Sequence, residues 1–99
     1  MNIFNEQCYA VLKQVPQGKV TTYKALAKAM NTKAYRAVGT AMKKNPYAPQ
    51  VPCHRVIKSS GEIGNFAHGT QKKSEMLQKE GVEVKENRID LEKYEHQFM

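Results

Sequence analysis

The chain reads TTYKALAKAMNTKAYRAVGTAMKK over residues 21–44. Apolar residues recur there every three or four positions, which predicts one helix over 23–30 and a second over 34–44. One of the two leading threonines can cap the first helix, and Asn31-Thr32 interrupts the pattern between the helices. The inward positions are Leu26, Ala27 and Met30, then Val38, Ala41 and Met42. Two short helices joined by a few polar residues are typical of a helix-turn-helix unit.

The sequence on either side predicts further short elements. A helical spacing of apolar residues predicts a helix over 3–15, which Pro16-Gln17-Gly18 ends. Three prolines make residues 46–52 an irregular connector, and Val56-Ile57 suits a short strand.

The C-terminal third predicts one more helix and a hairpin. Thr70 can cap a helix over 71–79, and Gly81 stands where a left-handed C-terminal cap belongs. A small hairpin is expected around residues 85–87, and a frayed helical tail after it. We therefore expect a single, mainly α domain over residues 1–99, with short strands and a winged helix-turn-helix-like DNA-binding fold.

The charge balance favours a polyanionic partner. The 99 residues carry a net charge of +7, with 40% hydrophobic and 25% charged residues, which suits one modest core. Residues 1–60 hold ten Lys/Arg against one acid, whereas residues 61–99 hold six against eight. Such a basic half suits nucleic acid, although a solvated lysine-rich surface is the simpler alternative. No apolar run approaches the roughly 20 residues of a membrane span, so no membrane partner is expected.

A second informative stretch is Pro52-Cys53-His54-Arg55-Val56. It places a thiol beside an imidazole and a guanidinium, and a nearby base or positive charge favours the reactive thiolate. A small buried thiol with solvated neighbours is the alternative. The other cysteine is Cys8. Two cysteines without a secretion signal favour free thiols in a reducing cytoplasm. Zinc is not expected, because the sequence has no C-x-x-C or H-x-x-x-H pair.

These stretches belong to an ordered set of motifs. In chain order the motifs are Val20-Thr21-Thr22-Tyr23, Arg36-Ala37-Val38-Gly39, Asn45-Pro46, Pro52-Cys53-His54-Arg55-Val56, Gly64-Asn65-Phe66 and Glu80-Gly81. With these spacings the chain resembles the O6-alkylguanine-DNA alkyltransferase family, specifically its C-terminal active-site domain. The resemblance covers about residues 3–84. The N-terminal domain of longer members has no counterpart here, so a minimal, stand-alone version is expected.

The resemblance implies a cysteine chemistry that needs no cofactor. Cys53 matches the residue that accepts the alkyl group from the O6 atom of guanine, for which a soft thiolate is well suited. His54 matches the base, and Glu80 the carboxylate that orients it. Adjacent side chains of an extended segment point opposite ways, so His54 is expected to act through a water. Asn45 matches the asparagine that supports the active-site turn.

The resemblance also implies recognition of double-stranded DNA through the minor groove, with low sequence preference, by a monomer. A guanine inside a duplex must leave the base stack before it can react. Arg36 matches the arginine that fills the vacated place, and Tyr23 the residue that presses the target phosphate. Ala37 and Gly39 match the small residues that allow the recognition helix to approach closely.

The substrate pocket is where the chain departs from the family pattern. The resemblance places Val56, Phe66 and Ala67 around the pocket, and Arg55 and Val56 also form the scaffold of the turn. Phe66 stands where many members have tyrosine, and losing one oriented donor can cost on the order of 10²–10³ in rate. Ala67 and His68 replace the serine or glycine that often follows in that loop, which can narrow the pocket and change the alkyl groups that fit.

Three functions follow from these residues. The first is a suicide DNA repair methyltransferase that becomes irreversibly alkylated at Cys53. The second is a non-catalytic, alkyltransferase-like protein that flips O6-alkylguanine and recruits other repair factors. In the resembling proteins of that kind tryptophan replaces the cysteine, so Cys53 speaks against this function while Phe66 leaves it open. The third is a plain winged-helix DNA binder with a structural cysteine.

Overall fold

The computed structural model describes residues 3–48, 50–64 and 69–98. Within these ranges the elements are α1 (Ile3–Leu12), β1 (Thr21–Thr22), α2 (Tyr23–Ala29), α3 (Tyr35–Lys43), a 3₁₀ turn (Cys53–Arg55), β2 (Val56–Ile57), α4 (Thr70–Lys79) and α5 (Leu91–Tyr94). Phe66, Ala67 and His68 lie outside the described residues. None of the helices in the described part has the length and apolar character needed to cross a membrane.

The predicted helix-turn-helix unit is confirmed. Thr22 caps α2, because its hydroxyl oxygen accepts a hydrogen bond from the Ala25 N–H at 3.0 Å. Asn31, at φ 58°, turns the chain between α2 and α3 in a left-handed conformation that asparagine tolerates. The two helices bury the predicted positions Leu26, Ala27, Val38, Ala41 and Met42, whereas Met30 is only partly buried.

Three expectations about local structure were wrong. α1 ends at Leu12 rather than at residue 15, although Val15 is fully buried and so prolongs the apolar pattern beyond the helix. Thr70 is the first residue of α4 and not its cap; Gly69, at φ 94°, holds the cap position. Cys53–Arg55 forms a 3₁₀ turn instead of an extended segment.

The sheet brings the cysteine turn against the helix-turn-helix unit. β1 and β2 pair in parallel, with Thr21 opposite Val56 and Thr22 opposite Ile57. The predicted strand at 56–57 is therefore confirmed, and its partner is the segment that leads into α2.

The C-terminal tail lies beside β1, where Glu95 forms a parallel bridge with Val20. Helix α5 has a single turn, after which the chain is extended rather than helical. The Val20 N–H donates to the carbonyl oxygen of Tyr94 at 2.9 Å, and the His96 N–H donates to the carbonyl oxygen of Val20 at 2.7 Å. The expected frayed helix is thus replaced by a segment hydrogen-bonded beside β1.

Two clusters of buried apolar residues meet at β2. One cluster lies under α1, α2 and α3 and includes Cys8, Cys53 and Val56. The other lies under α4 and the hairpin and includes Ile57 and Leu77. Because consecutive residues of β2 belong to different clusters, the turn that carries Cys53 lies where the two clusters join.

The predicted hairpin is present, and its turn holds one unfavourable residue. Lys85 and Arg88 exchange backbone hydrogen bonds of 2.9 and 3.0 Å around Glu86 and Asn87, which have φ values of 53° and 60°. Asparagine tolerates this left-handed conformation better than glutamate does. We expect Glu86→Asn to raise the free energy of unfolding by about 0.5 kcal/mol in urea titrations. The exposed Glu83, converted to asparagine, is the control; equal effects of the two substitutions would contradict this explanation.

Candidate active site

The turn that carries Cys53 is fixed by one shared carbonyl group. The Cys53 N–H donates to the carbonyl oxygen of Val51 at 2.9 Å, and Asn45 Nδ2 donates to the same oxygen at 2.8 Å. Asn45 Oδ1 in turn accepts from the Tyr47 N–H at 2.9 Å. Cys53 itself is 8% exposed. Asn45 therefore ties the end of α3 to the segment that positions the thiol.

A buried polar cluster lies directly after Cys53. Glu80, at the C-terminal end of α4, lies 3.0 Å from His54 Nε2 through its Oε2. Arg55 donates to both oxygens of the same carboxylate, from Nε at 2.9 Å and from Nη2 at 2.6 Å. Arg55 Nη1 also donates to the carbonyl oxygen of Val15 at 2.9 Å. The expected His54–Glu80 pair is therefore a three-residue cluster, in which Arg55 makes the bidentate contact.

The electrostatics of this cluster leave the imidazole neutral and the carboxylate ionised. Burial lowers the pKa of His54, and this outweighs the opposite effect of Glu80. Burial raises the pKa of Glu80, but the hydrogen bonds from Arg55 and His54 lower it to below its ordinary value. An ionised carboxylate only accepts, so Nε2 of His54 carries the proton and Nδ1 carries the lone pair.

The structure adds Lys73 to the site, a residue that sequence reasoning missed. Lys73 lies on α4 and is fully buried, and its Nζ donates to the carbonyl oxygen of Val56 at 2.7 Å. Burial lowers the pKa of Lys73 to about 8. The negative charge of a Cys53 thiolate has the opposite, smaller effect and raises it. A positive charge is thus buried near the thiol. Lys73 precedes the buried Leu77 by four residues and therefore shares its face of α4, which was the available signal. Nothing else in the sequence distinguishes this lysine from the exposed ones.

Tyr23 and Val56 border the cysteine in different ways. Burial raises the pKa of Tyr23, and the charge of Cys53 raises it further; the ring packs against the buried cluster that contains Cys53. The side chain of Val56 is fully buried in the cluster that contains Cys53, and its carbonyl oxygen accepts the hydrogen bond from Lys73.

A separate group of predicted residues lies on α3. Arg36 is exposed in the first turn, while Ala37 and Gly39 are partly buried. A Cβ built on Gly39 would have no described atom within 4 Å. Glycine in a helix costs about 1 kcal/mol relative to alanine. Packing within the described part of the chain therefore gives no reason for a glycine at this position.

Comparison with known proteins places the chain in one family. The family described as 6-O-methylguanine DNA methyltransferase, DNA binding domain, matches residues 3–82. A methylated-DNA–protein-cysteine methyltransferase of Thermococcus kodakarensis is 50% identical over 80 residues, which are 80% of this chain and 45% of that protein. The chain thus spans less than half the length of that relative. It spans 29% of a bifunctional methyltransferase/endonuclease of Picrophilus torridus, which is 40% identical over 87 residues.

Two solved structures with DNA are similar over most of the chain. Mycobacterium tuberculosis OGT in complex with DNA is 34% identical, with a TM-score of 0.79 over 82% of this chain and 50% of that one. S. pombe Atl1, in complex with damaged DNA containing O6-carboxymethylguanine, is 32% identical, with a TM-score of 0.86. That match covers 98% of this chain and 97% of the Atl1 chain, so the two have similar lengths.

Proposed function

The chain belongs to the 6-O-methylguanine DNA methyltransferase family through its DNA-binding domain, and on this basis we propose that it repairs DNA by moving an alkyl group from O6-alkylguanine to Cys53. The observation that carries the proposal is the buried cluster of His54, Arg55 and Glu80 directly after a buried cysteine. A structural thiol would need no such neighbours.

The proposed reaction is a single displacement. His54 Nδ1 takes the proton of the Cys53 thiol through a bridging water, because no hydrogen bond joins Sγ to the imidazole within residues 3–48, 50–64 and 69–98. The thiolate attacks the alkyl carbon, the S–C bond forms and the C–O6 bond breaks. The electron pair of that bond leaves on guanine, which takes up the proton that His54 removed from the thiol. The thioether is stable, so each molecule would act once.

Two neighbouring residues support this chemistry. The Lys73 ammonium group supplies a buried positive charge near Cys53, whose sulfur would carry negative charge when it attacks. Asn45 keeps the turn in place through the carbonyl oxygen of Val51. Neither of them needs to touch the alkyl group.

We further propose that α3 enters the minor groove and that Arg36 fills the place of the flipped guanine. The exposed guanidinium lies in the first turn of α3, and Arg side chains stack on bases through cation–π contacts. The open surface at Gly39 lets a sugar–phosphate backbone approach the helix. Tyr23, which borders both α3 and the thiol, would press the phosphate of the target nucleotide. Such contacts carry little sequence information, and a monomer suffices to make them.

A second function has one observation in its favour. The chain matches Atl1 over nearly the full length of both proteins, whereas it matches about half of the OGT chain. The alternative is therefore a protein that binds and flips O6-alkylguanine for other repair factors and leaves the alkyl group in place.

Mass spectrometry separates the two functions. We expect incubation with an oligonucleotide duplex containing O6-methylguanine to add one methyl mass to the peptide that contains Cys53, in a 1:1 ratio of protein to lesion. Cys53→Ser should bind the same duplex and gain nothing. An unchanged wild-type mass despite tight, lesion-dependent binding would instead establish the alternative. Equal affinity for damaged and undamaged duplexes, without a mass change, would leave a plain DNA binder.

A further inference from the structure

A cleft of about 590 Å³ opens beside the proposed active site. It lies between the start of α2, the start of α3 and the turn that follows β2. Its lining residues are Tyr23, Lys24, Tyr35, Lys58, Ser59 and Ser60. Its volume is within the roughly 300–1,000 Å³ of small-ligand sites.

One wall of the cleft is the ring of Tyr35, which does not belong to either buried cluster. Tyr35, the first residue of α3, is 47% exposed. In the described part of the chain no other ring packs against it, whereas Tyr47, at 40% exposed, meets the ring of Tyr9 edge-on. A large apolar ring left open beside Arg36 is available to stack on a base.

The charge of the cleft is wholly positive. Lys24 and Lys58 are exposed, and neither has a carboxylate within ion-pair distance among the described residues. No acid lines this cleft, although Glu62 accepts from the Ser60 hydroxyl nearby. A second surface cavity, of about 520 Å³, has a different character because it mixes three acids with three cations; its lining includes Glu83, Lys85, Glu86, Arg88, Asp90 and Lys93.

We propose that this cleft binds the nucleotide next to the flipped alkylguanine, with the base on the ring of Tyr35 and the phosphate between Lys24 and Lys58. The combination of an exposed aromatic ring with unpaired cations is the chemistry of single-stranded nucleic-acid sites. Tyr23 lines the cleft and packs against the buried cluster that contains Cys53, so a strand that delivers a nucleotide to the thiol would pass along it. The site rests on the proposed binding of O6-alkylguanine in DNA. It makes Tyr35 a positioning residue.

The test asks whether the effect of substituting Tyr35 on DNA affinity depends on the presence of one particular base. Equilibrium affinity is measured for duplexes containing O6-methylguanine, with the 5′ or the 3′ neighbour either intact or abasic. We expect Tyr35→Ala to weaken binding of the intact duplex on the order of tenfold. When the neighbour on one side is abasic, the same substitution should have almost no effect. Tyr35→Phe should bind like the wild type, and so should the matched control Tyr47→Ala.

The phosphate contact has its own measurement. The slope of log K against log salt should fall by about 0.7–0.9 for Lys24→Gln and for Lys58→Gln, as expected for one lost phosphate contact each. Lys13→Gln removes an exposed charge outside the cleft and is the control. If Lys24→Gln and Lys58→Gln gave the same salt slope as Lys13→Gln, the proposed phosphate contact of Lys24 and Lys58 would be wrong.

The outcomes separate this site from the proposed function. Methyl transfer together with losses for Tyr35→Ala that are equal on intact and abasic duplexes would overturn the cleft alone. A loss of affinity for Tyr35→Ala that disappears when one neighbour is abasic, without methyl transfer, would support nucleotide binding in the cleft of a lesion-binding protein. Free O6-benzylguanine has no neighbouring nucleotide, so its reaction with Cys53 should proceed equally in the wild type and in Tyr35→Ala. A slower reaction of the variant would mean that Tyr35 supports the active site itself, which overturns the proposal.

Discussion

Glu80→Gln should slow alkyl transfer by on the order of 10²–10⁴, the usual contribution of a general base. The neutral amide can donate to Nε2 of His54, which moves the imidazole proton to Nδ1 and removes the lone pair that the proposed base needs. Single-turnover kinetics with a methylated duplex measure the rate. The exposed Glu83, converted to glutamine, should react at the wild-type rate.

The same substitution should also change stability and pH dependence. Glu80 and Arg55 have side chains that are each 15% exposed, so the variant leaves a mostly buried guanidinium without its counter-ion. We expect a loss of about 3 kcal/mol in the free energy of unfolding. Because Glu80 raises the pKa of His54, its loss should move the acid limb of the rate profile to lower pH. A wild-type rate with an unmoved acid limb would refute the role of Glu80 in orienting the base.

Lys73→Met should remove a contribution that raises the free energy of unfolding of the wild type as the pH increases above about 8. Burial lowers the pKa of Lys73 to about 8 from its ordinary 10.5. Between these values the unfolded chain binds more protons than the folded one, so the free energy of unfolding increases with pH. The full rise corresponds to about 3 kcal/mol. Urea titrations at several pH values between 7 and about 10.5 measure it.

The difference between two stability curves isolates the effect of Lys73. Burial raises the pKa of Cys8 to about 11, which lowers stability over much of the same range, but this contribution is common to both proteins. Wild type minus Lys73→Met should therefore rise with pH. The exposed neighbour Lys72, converted to methionine, should give a curve parallel to the wild type. If the curve of Lys73→Met were also parallel to that of the wild type, the buried ammonium group would not titrate as proposed.

The helices could be predicted from sequence because their apolar spacing is local. The predicted limits of α2 and α3 lie within one residue of those observed. Helix α1 was predicted too long, since Val15 packs into the core from a turn and extends the pattern. The pairing of β1 with β2 has no local signal. Two-residue strands gain their partners from tertiary packing, which a periodic pattern does not encode.

The site was predictable only where a motif marks it. Cys53, His54 and Asn45 occur in recognisable motifs, and the structure places His54 in the turn that carries the thiol and Asn45 against the segment that leads into it. The bidentate contact between Arg55 and Glu80 joins residues far apart in the chain, so adjacency gave no hint of it. Nor did composition distinguish Lys73 from the exposed lysines, because burial of one amine depends on how α4 packs against β2.

If α3 enters the minor groove as proposed, the open position at Gly39 exchanges helix stability for a closer approach to DNA. Nothing described in the chain would resist a methyl group there, and alanine would strengthen α3 by up to about 1 kcal/mol. Any search for heat-stable variants that scores melting alone would therefore favour substitutions at residue 39. Those variants would be harder to unfold and would hold the duplex at a greater distance. On the proposed function, α3 is therefore less stable with Gly39 than with alanine because DNA, and not the rest of the chain, would occupy the space beside this residue.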